Sequence, residues 1–142
     1  MTFHAKAQST QRKILAMHEN DIAAIVVDTA IKVHQELGPG LFESVYESVI
    51  EFELQQKKGL EVKRQIALPV TWDNNKLEAG FRADLIIENK LIIEIKSVET
   101  LAPVHHKQLL TYLRLTGLKL GLLINFNEAL IKNGIKRIVN NL

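Results

Sequence analysis

Two apolar runs joined by three polar residues, ADLII-ENK-LIIEI at positions 83–95, constrain this chain more than any other stretch. Runs of Leu and Ile this short have the length of strands, and the polar residues between them read as a turn. Leu85, Ile86, Ile87, Leu91, Ile92, Ile93 and Ile95 make both strands strongly apolar, as expected of central strands. LGLLINF, at 120–126, is too short for most helices and reads as another buried strand, of the parallel kind. A sheet built on such strands needs helices to cover it.

The helices are at hand. IAAIVVDTAIKVHQEL carries Ile22, Ile25, Val26, Ala30 and Val33 at helical spacing, with Asn20 or Asp21 as the cap and Gly38 as the stop. A second helix should run from Leu41 to Lys58 and end at Gly59, burying Phe42, Val45, Tyr46, Val49, Ile50 and Leu54. The period then changes: EVKRQIALPV, LEAGFRADLII and LIIEIKSV read as three strands, with DNNK turning between the first two. A third helix follows Pro103 through VHHKQLLTYLRL to Gly117, and the tail ALIKNGIKRIV reads as a short helix or turn and a last strand. The expectation is an α/β (α+β) fold, a mixed sheet flanked by helices in the order α-α-β-β-β-α-β with a short C-terminal strand. Residues 1–19 are expected to be a mobile extension, and 20–142 one domain.

Composition removes several classes of function. With no cysteine, disulfides, thiolate zinc sites and iron–sulfur clusters are excluded, and a cytoplasmic address is favoured. No apolar run is long enough to span a membrane, and the polar N-terminus lacks the apolar core of a secretory signal. A net charge of +2 allows a local basic patch but does not by itself indicate nucleic acid.

The chemistry sits inside the apolar strands. Side chains alternate along a strand, so Glu94 and Lys96 share one face while Ile93 and Ile95 take the other. If the connection is the three-residue loop Glu88-Asn89-Lys90, Ile87 pairs with Leu91 and Asp84 falls opposite Glu94, about 5 Å away. A two-residue loop would send the Asp84 carboxylate to the other face. Carboxylates that close repel, and one stays protonated unless a cation lies between them. Mg²⁺, held by a few carboxylates and waters, suits such a pair. Lys96 is placed to hold a water or steady negative charge in attack on a phosphodiester. An exposed Glu-x-Lys pair on a strand is the plainer alternative.

Two helices add candidates. Gln108 and Tyr112 are one turn apart on one face, with His105 three residues before Gln108. They suit a phosphate or a water at the lip of a site, or an ordinary amphipathic border. Glu43 is either a favourable acid at a helix start or a third carboxylate reaching the metal, with Tyr46 orienting it. His34 borders the same pocket or caps its helix. Lys57, Lys58, Lys63, Arg64 and Arg114 are candidate phosphate contacts.

Gly40-Leu41-Phe42-Glu43-Ser44-Val45-Tyr46 resembles the signature of the GxxExxY family. VHQELGPG before it, and FRADLIIENKLIIEIKSVE, LAPVHHKQLLTYLRLTGLKLGLLINFN and GIKRIV after it, continue the likeness over about residues 20 to 139. That family is placed in the PD-(D/E)xK nuclease-like superfamily. The resemblance implies that Asp84 and Glu94 are the motif's two acids and Lys96 its lysine. It implies that Gln108 and Tyr112 form a Gln-x-x-x-Tyr helix element, and that Glu43 is the acid given by the first core helix. Ala83 stands where the motif has proline. The implied activity is Mg²⁺- or Mn²⁺-dependent hydrolysis of DNA phosphodiesters, with Asp84, Glu94, Glu43 and the Ile95 carbonyl on the metal. His105, Gln108 and Tyr112 would face substrate. A non-catalytic module that binds nucleic acid or protein and keeps the fold is the alternative. A homo-oligomer formed through an exposed strand is compatible with either.

Overall fold

The computed structural model describes residues 17–142, leaving aside the side chains of residues 78–80. Most of the N-terminal extension therefore lies outside the described residues. Helix α1 spans Glu19–Leu37 and α2 Glu43–Phe52, the latter continuing as a π-helical turn over Glu53–Lys57. Strands β1 (Val62–Trp72), β2 (Asn75–Ile87) and β3 (Leu91–Lys96) follow. Helix α3 (Pro103–Thr116), β4 (Leu120–Asn125), a 3-10 turn (Ile131–Gly134) and β5 (Ile135–Val139) complete the order. The element order is the one the sequence pattern predicts.

The five strands lie in chain order. β1–β2, β2–β3 and β4–β5 are antiparallel, and β3–β4 is parallel through the α3 crossover. Alternation along β3 assigns the two faces. Leu91, Ile93 and Ile95 pack under α1 and α2 with Val26, Ala30, Tyr46 and Ile50. Ile92 packs under α3 with Leu109, Tyr112 and Leu113. β3 and β4 are thus buried on both faces, which is why both read as nearly continuous apolar runs.

Several boundaries differ from the sequence expectation, each for a local reason. His18, not Asn20 or Asp21, caps α1: its Nδ1 accepts from the Asn20 N–H at 3.0 Å, and Asp21 returns a bond to the His18 N–H. Helix α2 starts at Glu43 rather than Leu41 because Phe42 is extended (φ −66°, ψ 148°) and serves as the cap, while the Leu41 N–H donates to the Tyr46 hydroxyl at 3.1 Å. The β1–β2 turn is the two-residue Asp73-Asn74, both with positive φ, which extends each strand beyond its expected end. The register shifts between Leu68 and Val70, on either side of Pro69, which has no N–H to give the ladder.

Candidate active site

The β2–β3 ladder pairs Ile87 with Leu91, Ile86 with Ile92 and Leu85 with Ile93, and then stops. The loop is the three-residue Glu88-Asn89-Lys90, so counting onward sets Asp84 against Glu94. Beyond Leu85 the strands part company. β2 stays with β1 through Ala83 and Ile66, while β3 stays with β4 through Lys96 and Asn125. Backbone donors freed at this fork are taken by side chains. The Ile95 N–H donates to Asp84 Oδ2 at 2.8 Å, and the Asp84 N–H donates to Glu94 Oε1 at 3.3 Å. Two carboxyl groups thus replace the backbone ladder where the sheet splits.

Their electrostatics follow from that position. Glu94 is only 7% exposed, and its pKa is pushed up to about 9, by burial first and then by the Asp84 charge. Burial also raises Asp84, against the pull of the Ile95 amide. Each carboxyl bears on the ionisation of the other, so Asp84 and Glu94 titrate as a pair. Lys96, the next residue on the Glu94 face, pulls both acids back toward ionisation. On the α3 side, Tyr112 is buried edge-on against Phe81. Its hydroxyl is raised by burial, then by Glu94 and Asp84, which places it in the field of the pair. Gln108 lies one turn earlier on the exposed surface of α3.

The other candidates sit differently. Glu43 accepts from the Ser97 N–H at 3.1 Å, just beyond Lys96, on a cavity of about 360 Å³ lined by Leu41, Phe42, Glu43, Ser44 and Ser97. Among the described residues, no three His, Asp or Glu side chains converge closely enough to hold a metal. Glu43 stands apart from the Asp84–Glu94 pair, with its carboxylate held by the first amide after β3. Tyr46 does not orient it. The Tyr46 hydroxyl donates to the Gly38 carbonyl at 2.6 Å, and its ring stacks on Phe126. His105 Nδ1 accepts from the Ala102 N–H at 3.0 Å, closing the first turn of α3. His34 bonds the Glu128 carbonyl and lines a separate cavity with Gly38 and Leu130. Arg64 is engaged by Glu47 at 2.8 Å and Glu51 at 3.6 Å, and Lys57 by Glu53 at 2.9 Å. Both of these candidate phosphate contacts are thus paired with acids.

Two residues near the pair carry weight that sequence reasoning did not give them. Glu47, one turn after Glu43 and buried, accepts from Arg64 and from Gln65 Nε2 at 2.9 Å. The same Gln65 nitrogen reaches Asp84 Oδ1 at 3.3 Å. The only hint in the sequence was the run of three polar residues Lys63-Arg64-Gln65 within an otherwise largely apolar strand.

The sequence model of the PD-(D/E)XK nuclease superfamily matches residues 20–138. The chain belongs to that superfamily. No curated protein and no solved structure matches it. The superfamily's name spells an acid and then an acid-any-lysine triplet, and Asp84 and Glu94-Ile95-Lys96 stand in that order. PD-(D/E)XK nucleases are typically dependent on a divalent metal and act on nucleic acid. The donors here fit such an ion: two carboxyls at the fork, neither thiolate nor imidazole between them, and a buried acid whose ionisation is opposed by burial and by its neighbour Asp84. Among the described residues no helix is long and apolar enough to cross a membrane.

Proposed function

We propose that this protein is a divalent-metal-dependent nuclease that hydrolyses phosphodiester bonds in DNA. The observation that carries the reading is the fork itself, where Asp84 and Glu94 are driven together beside Lys96. Asp84, Glu94 and the Ile95 carbonyl are the groups to hold Mg²⁺ or Mn²⁺, with Glu43 assisting from the Ser97 side. Such an ion, when bound, neutralises the acids and lowers the pKa of a coordinated water. Lys96 would position the attacking water and stabilise the negative charge that develops on the phosphate. Tyr112 and Gln108 bind phosphate or water along α3, and His105 contributes through the nitrogen not spent on Ala102. The GLFESVY stretch supports the narrower assignment to the GxxExxY family, and residues 20–142 are read as one catalytic domain.

The test is hydrolysis of labelled single- and double-stranded DNA and RNA with Mn²⁺ or Mg²⁺, running wild type beside Glu94→Ala and Lys96→Ala. Cleavage of DNA that both variants lose is the expected result. Cleavage that survives in both would place the activity elsewhere, and cleavage of RNA alone would correct the substrate.

A further inference from the structure

Six non-glycine residues among those described have positive φ. Asp73, Asn74, Glu88 and Asn89 are in turns and Asn141 is near the C-terminus. Gln65, at φ 53°, is in the body of β1. It carries neither the short polar side chain that eases the left-handed region nor the freedom of glycine. A long side chain in this conformation within a strand is held there by its surroundings.

What it gains is a set of contacts on two acids. The ladder records Arg64 with Leu85 and Ile66 with Ala83, omitting Gln65, which lies across from Asp84. Its Nε2 meets Glu47 Oε1 at 2.9 Å and Asp84 Oδ1 at 3.3 Å. A carboxamide nitrogen has two hydrogens, one for each acceptor. Asp84 Oδ2 is meanwhile fixed by the Ile95 N–H at 2.8 Å, so both oxygens of this carboxylate are oriented. The chemistry of the donor matters as much as its reach. A lysine or arginine would orient Asp84 and also cancel its charge, competing with a cation. The neutral amide orients the carboxylate and leaves its charge available.

We propose that Gln65 is a positioning residue: it orients Asp84 for a divalent cation, and the strained backbone of β1 is retained for that purpose. The inference rests on the metal-dependent reading of the fork. Groups that orient a ligand typically change metal affinity about 10–100-fold when removed.

Gln65→Gly and Gln65→Ala separate positioning from packing, because glycine accepts this φ and alanine does not. Two quantities are measured on the full chain: Mn²⁺ affinity by calorimetry, and the melting temperature without metal. Both variants should bind Mn²⁺ about 10–100-fold more weakly than wild type. The glycine variant should nevertheless melt above the alanine variant. Wild-type affinity in either variant overturns the proposal. So does an affinity that tracks melting temperature through the series, or a glycine variant that fails to fold. Wild type that binds no Mn²⁺ overturns the metal reading itself, and that failure is recognisable because it appears before any substitution.

Discussion

The two ends of the β2–β3 pair are built from the same strands and do opposite things. At the turn end, Leu85, Ile87, Leu91 and Ile93 are fully buried and the ladder is complete. A few residues further on, the ladder opens and two carboxyl groups take its hydrogen bonds. The first end stabilises the fold by removing apolar surface from water. The second sets a desolvated acid beside another, which opposes folding. The dry end supplies the rigidity that holds the charged end in an arrangement it would not adopt alone.

Substitutions at the two ends should therefore separate chemistry from stability. The largest effect is expected from Lys96→Ala, which should lower DNA cleavage by about 10²–10³-fold while unfolding at the denaturant concentration of wild type. Ile93→Ala, at the dry end, should do the reverse. It should cost about 2–5 kcal/mol in urea unfolding, and the fraction still folded should retain cleavage per molecule. Equal losses of both quantities in both variants would break the distinction.

The charged end should also be visible in the pH dependence of the metal-free protein. Glu94 titrates near its ordinary value of 4.5 when unfolded and near 9 when folded. Between these values the native state holds the extra proton, so stability falls as pH rises through that window. Glu94→Gln removes the titration. In chelator it should flatten the profile and exceed wild type near pH 8.5 by on the order of 2 kcal/mol. A wild-type profile that rises across the same window would mean that the pair is not destabilised.

The smallest effect sharpens the boundary of the site. Tyr46→Phe keeps the stack on Phe126 but leaves the Gly38 carbonyl and the Leu41 N–H without their partner. It should cost about 1–2 kcal/mol of stability and leave Mn²⁺ affinity unchanged, as expected of a residue that fixes the turn before α2 rather than the acids.

Sequence reading succeeded where the determinant was local. The length of the ENK loop set the register that puts Asp84 against Glu94, and the apolar run LGLLINF announced a strand covered on both faces. It failed where a partner was distant. Glu43 is fixed by Ser97, 54 residues away, and the Tyr46 hydroxyl is spent on the turn before its own helix. No helical or strand period reports either contact. Gln65 was missed for a related reason: a polar residue beside Arg64 looks like a solvated strand edge, and only its positive φ reveals that it turns toward Glu47 and Asp84. The choice of His18 over Asn20 as the α1 cap was a closer matter: the His18 ring nitrogen accepts from the Asn20 N–H, which makes Asn20 part of the first turn.

The central claim is that Asp84 and Glu94 form a desolvated acid pair that a divalent cation would stabilise. Its most direct test is the melting temperature near pH 8.5 with and without Mn²⁺, for wild type and Glu94→Gln. A ligand that binds only the native state raises its stability in proportion to the logarithm of its concentration over Kd. Wild type should gain melting temperature with Mn²⁺ in this way, and Glu94→Gln, already stable without metal, should gain little. A wild type indifferent to Mn²⁺, or a variant that responds as strongly, would contradict the account.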